Sequence, residues 1–93
     1  MKAANKLRAG TKREGVLRAF VELGAQGLNC FEAVSRCRDY VLRSTVSGLQ
    51  RELGITFSRK FETVGQHGTT CARYWLEEAD RKRAAEMLGE VGA

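Results

Sequence analysis

Between residues 12 and 23, Val16, Leu17, Ala19, Phe20 and Leu23 fall on one side of a helical wheel. Glu14, Arg18 and Glu22 line the other side at four-residue spacing, where opposite charges support a helix, and Gly24 supplies the stop. Asn29 followed by Glu32 is a capping-box pattern with Asn as the cap, and Leu28 before it is placed as a hydrophobic staple. The helix it opens is expected to run to about residue 38, with Phe31, Val34, Cys30 and Cys37 turned inward. Asp39-Tyr40 breaks it. A third helix is expected over 41–52, where Leu42, Val46, Leu49 and Leu53 make a single apolar stripe that Gly54 closes. The period then changes. Ile55, Phe57, Phe61 and Thr63 alternate with Thr56, Ser58, Lys60, Glu62 and Val64, which predicts a strand. Gly65-Gln66-His67-Gly68 is a turn, residues 69–76 are a second β-rich run, and 77–88 return to helix formers. Tyr74 and Trp75 are expected in the core rather than as a base-stacking platform.

A chain of 93 residues has room for one core. A short capped helix, a tight break and a helix with one apolar stripe is the layout of a helix-turn-helix, and a hairpin directly after it adds a wing. The expected fold is mainly α with a β-hairpin: a winged helix-turn-helix of three helices, a two-stranded wing and a C-terminal helix. Residues 1–11 are expected as a flexible basic arm, 12–88 as the domain and 89–93 as a tail.

Charge adds a direction. The net charge is +5, from 16 Lys and Arg against 11 Asp and Glu. Lys2, Lys6, Arg8, Lys12 and Arg13 stand in the first 13 residues without an acid, and 36–60 hold six basic residues against Asp39 and Glu52. Residues 77–93 reverse the balance, with five acids against Arg81, Lys82 and Arg83. A basic front and an acidic rear suit a polyanionic partner. No apolar run approaches the ~18 residues of a membrane span, and no apolar segment follows the basic start, so no membrane partner and a cytoplasmic location are expected.

On the wheel of the third helix, Ser44, Ser47, Gly48 and Arg51 point away from the apolar stripe, flanked by Arg43 and Gln50. Hydroxyls, an amide and guanidinium groups are the side chains that read base edges and hold phosphates. Arg43, Ser44, Ser47, Gln50 and Arg51 are therefore the expected groove contacts. Gly48 costs ~1 kcal/mol of helix propensity relative to Ala, which suggests a close approach there. A turn centred on Gln66-His67 sets Val64 opposite Thr69 and Lys60 opposite Arg73. Like charges directly opposed invite a phosphate between them, although Glu62 on the same face offers an internal alternative. Lys60, Arg73, His67, Lys12 and Arg13 are the expected contacts to the DNA backbone.

Catalysis, metal and cofactor are not expected. There is a single His, no Gly-rich phosphate loop after a strand and no Ser/His/Asp or carboxylate pair. Cys30 and Cys37, on one helix, would lie ~10.5 Å apart along its axis, beyond the ~7 Å Cα limit of a disulfide. That separation also spoils a zinc site with His67 and Cys71, so all three thiols are expected reduced and partly buried.

The chain resembles the small winged-helix, helix-turn-helix proteins common in bacteriophages and prophages. The resembling residues are Leu28-Asn29-x-Phe31-Glu32-Ala33, Leu42-x-Ser44-Thr45-Val46-Ser47-x-Leu49, Gly54-Ile55, Phe61-Glu62 and Arg73-Tyr74-Trp75-Leu76, spanning about residues 12–88. The resemblance implies a transcriptional regulator in a bacterial host cell that binds double-stranded DNA, with Ser44-Thr45-x-Ser47 opening the recognition helix. The alternatives are a protein-interaction module that inhibits a host factor in the manner of an anti-CRISPR protein and an excisionase-like recombination role; a homodimer and a host protein are the partners considered besides DNA.

Overall fold

The computed structural model describes residues 8–91. Residues 1–7 of the expected arm and 92–93 of the expected tail lie outside the described residues. Among the described residues, four α-helices and a three-stranded antiparallel sheet form one mixed α/β unit. No helix among the described residues is long and apolar enough to cross a membrane.

Helix α1, Lys12–Leu23, starts at Thr11, whose side chain accepts the Glu14 N–H, while the Glu14 carboxylate accepts the Gly10 N–H at 3.2 Å. Residues 8–11 are thus tied to the helix end. Val16, Leu17, Ala19 and Phe20 are its buried face. A 3-10 turn, Gly24–Gln26, leads to strand β1, Leu28–Asn29, and then to α2, Cys30–Cys37. The capping box is present: the Asn29 side chain accepts the Glu32 N–H at 2.8 Å, and Glu32 accepts the Asn29 N–H at 3.1 Å. Helix α3 spans Leu42–Leu53 and ends at Gly54 in the left-handed region. Strands β2, Phe57–Val64, and β3, Thr69–Leu76, form the hairpin, and α4, Glu78–Val91, packs against α1. The last helix therefore extends beyond residue 88, where the tail was expected to begin.

The hairpin register is as expected, with Val64 opposite Thr69 and Lys60 opposite Arg73. The two-stranded wing is corrected to a three-stranded sheet, in the order β1-β3-β2, because β1 pairs with β3 through Leu28 to Tyr74 and Asn29 to Arg73. Gly27 makes this pairing sterically feasible. Its φ is +61°, and a Cβ there would stand 1.7 Å from the Tyr74 carbonyl oxygen. Two paired residues have no periodicity, so the strand had no signature of its own.

The core lies between α1, α3, α4 and the base of the sheet. Phe20 meets Phe57 edge to face at 4.8 Å between ring centroids, among Leu17, Leu49, Ile55 and Leu76. Two inward assignments on α2 are corrected: Phe31 is 52% exposed and Cys30 is exposed, because the capping box turns the first helical positions toward solvent. Ala33 is the buried residue of that helix, with Cys37 half-buried against the core. Tyr74 is buried, whereas Trp75 is half-buried with its indole N–H donated to Glu77 at 2.9 Å.

Candidate nucleic-acid interface

Three sets of contacts fix how α3 presents its outer face. At its start, Asp39 is fully buried, and its Oδ1 accepts the Val41 N–H at 2.9 Å and meets Lys12 Nζ at 3.2 Å. Arg38 before it takes a left-handed conformation (φ 55°) that ends α2. Among the described residues Asp39 Oδ2 has no donor at hydrogen-bond geometry; the neighbouring Thr45 hydroxyl lies 3.3 Å from the Val41 carbonyl and can turn its one proton to either acceptor. Burial pushes the Asp39 carboxyl up, but Thr45, the Val41 N–H and Lys12 outweigh it and hold the group below its ordinary value. Along its flank, Glu52 is ion-paired to Arg13 of α1. At its far end, Gln50 Oε1 accepts the Phe57 N–H at 2.9 Å, joining α3 to β2.

What remains outward on α3 is Arg43, Ser44, Ser47 and Arg51, all exposed. Gly48 is corrected: it is buried rather than facing away from the stripe. The group that approaches it closely is the Arg13 guanidinium, whose Nη2 would stand 2.8 Å from a Cβ at that position.

Several of the expected backbone contacts are engaged inside the protein. Lys12 holds Asp39 and Arg13 holds Glu52. Arg73 is the most committed. Its Nη1 and Nη2 reach the two Glu32 carboxylate oxygens at 2.9 and 3.0 Å, its Nε reaches Glu62 at 2.9 Å, and Nη1 also reaches the Gln26 carbonyl at 2.9 Å. Asn29 Nδ2 donates to the other Glu62 oxygen at 2.8 Å. Hydrogen bonds from Arg73 hold Glu32 and Glu62 below the usual carboxylate value, and these carboxylates raise Arg73 in turn. The internal alternative to a phosphate is thus the arrangement found, with Arg73 held between Glu32, Glu62 and the Gln26 carbonyl. Gln50, foreseen in the groove, is occupied by the Phe57 amide. Lys60 and His67 are exposed, Lys60 on the hairpin face that also carries Arg73 and His67 in the turn.

Sequence reading passed over Arg59. It shares the strand face of buried Phe57, its cross-strand neighbour is Tyr74, and its guanidinium lies 5.5 Å from the Phe61 ring centroid. Arg59, Arg43, Leu42 and Phe61 line one open cavity of about 430 Å³ beside the start of α3. Period-two parity with Phe57 was the signal that could have identified it.

The charge pattern is uneven. Lys12, Arg13, Arg18, Arg36 and Arg73 each pair with a carboxylate, while Arg43, Arg51 and Arg59 make no ion pair among the described residues. The described residues contain no group of three or more His, Cys, Asp or Glu that could hold a metal ion. Burial pushes the Cys37 and Cys71 thiols up. Comparison of the chain with protein-family models, with curated proteins and with solved structures returns no match.

Proposed function

We propose that the protein is a winged helix-turn-helix domain that binds double-stranded DNA, with α3 in the major groove, acting as a regulator of the phage and prophage kind. The observation that carries this reading is the α3 face: Arg43, Ser44, Ser47 and Arg51 stand outward, and neither guanidinium has a carboxylate partner among the described residues. The fold neutralises Lys12, Arg13 and Arg73 but leaves these cations open, the condition for phosphate and base-edge contacts. Helix order and the β1-β3-β2 sheet support the same reading. Arg59 beside the start of α3 extends the basic surface, and Lys60 and His67 on the hairpin are further candidates for backbone contact.

The test is a duplex titration at two salt concentrations. With about four phosphates contacted, affinity should fall about 10²-fold between roughly 50 and 200 mM salt. A flat response, or no duplex binding at low salt, overturns the proposal. It would favour a protein partner instead, a reading supported by exposed Phe31, Tyr40, Val41 and Phe61.

A further inference from the structure

We propose that Cys30 and Cys71 form a reactive dithiol site, which hydrogen peroxide closes to an intramolecular disulfide. The inference goes beyond the nucleic-acid reading and does not depend on it. The β1–β3 ladder sets Asn29 opposite Arg73, and α2 begins at the next residue. Cys30 therefore turns beside the stretch of β3 edge that the two-residue β1 leaves uncovered, where Cys71 stands. Burial pushes the Cys71 thiol up, and the neighbouring Cys30 thiol pushes it further the same way. Both cysteines line the open cavity of about 430 Å³ that holds Arg43, Arg59 and Phe61, which is wide enough for a peroxide.

Exposure divides the roles. Cys30 is exposed and meets the oxidant first, while Cys71, 7% exposed, waits behind it as the resolving thiol. The Cys30 sulfur attacks a peroxide oxygen, the O–O bond breaks, a sulfenic acid forms and one water leaves. The Cys71 sulfur then attacks the Cys30 sulfur, the S–O bond breaks, the S–S bond forms and a second water leaves. Two electrons and two protons pass from the thiols to the peroxide. The link would join the start of α2 to β3 and enclose α3 and β2. Cys37 lines a different groove, between α1 and α2, and serves as the internal control.

The experiment treats the full chain with hydrogen peroxide, alkylates the remaining thiols and maps tryptic peptides without reduction. Trypsin places the three cysteines on separate peptides, Cys30 on 19–36, Cys37 on 37–38 and Cys71 on 61–73. The expected product is a monomer in which 19–36 is joined to 61–73 and Cys37 is alkylated. Cys37→Ser should keep the link, and Cys30→Ser, a surface change compatible with folding, should lose it. Alkylated Cys71 beside an overoxidised or unreacted Cys30, a link through Cys37, or only intermolecular dimers would overturn the proposal. Because no DNA enters this experiment, its failure leaves the duplex titration untouched.

Discussion

Arg43, Arg51, Arg59 and Arg73 carry the same group, and the carboxylates near each one decide what it can do. Arg51→Ala and Arg43→Ala are expected to cost about 1–3 kcal/mol on a preferred duplex and to relax sequence preference, read from titrations on selected and scrambled sites. Arg59→Ala should weaken all duplexes alike and lower the salt slope by about one. Arg73→Ala should behave differently. It leaves the Glu32 and Glu62 carboxylates without their shared cation, so the melting temperature should fall while the salt slope is unchanged. Gln50→Ala removes the acceptor of the Phe57 N–H, and denaturant unfolding should show a loss of about 1 kcal/mol. Sequence alone identified Arg43, Gln50 and Arg51 as polar positions outside the apolar stripe of α3 and Arg73 as a cation opposite Lys60. It could not tell Gln50 or Arg73 from a free side chain, because their partners come from other elements.

At the scale of elements, the first three helices were legible because each carries a period or a cap that its own residues supply. Val16, Leu17 and Phe20 mark α1, Asn29 and Glu32 open α2, and Leu42, Val46, Leu49 and Leu53 mark α3. Strand β1 was not legible, since it exists only as a partner of β3. Its dependence on Gly27 is open to test. Gly27→Ala sets a methyl into the Tyr74 carbonyl at a φ of +61°, and should destabilise the fold by about 3 kcal/mol or more in urea titration. The same substitution at Gly24, where a Cβ meets nothing within 4 Å and φ is +63°, carries only the conformational strain and should cost about 1 kcal/mol.

For the molecule as a whole, the ion-pair pattern sets the response to pH. Glu14, Glu32 and Glu62 lie below their ordinary value of 4.5, and Asp39 lies below 3.8. Hydrogen bonds from Arg18, Arg73, Gly10 and Asn29 lower the glutamates. Burial opposes the shift at Asp39, where Thr45, Val41 and Lys12 prevail. On acidification the unfolded chain therefore binds protons before the folded one. The stabilisation is complete above the unfolded values and is lost as pH falls through the folded ones. Melting temperature should be level from neutrality to about pH 5 and drop progressively below about pH 4. A curve that stays level to about pH 2 would show that these pairs contribute nothing to stability.

The sequence by itself determined where chain segments become helix or hairpin, where they stop and which side of each is apolar. Those properties depend on residues within a few positions of one another. Asn29, Gly54 and the Lys60-to-Arg73 register needed nothing from afar. Only the tertiary structure decided which polar groups remain available to a partner. Arg13 reaches Glu52 across 39 positions, Arg73 reaches Glu32 across 41, and Asn29 reaches Glu62 across 33. Charges that far apart in the chain are neutralised only once α1, α2 and the sheet have packed. The surface left uncovered, along α3 and beside Arg59, is a product of that packing.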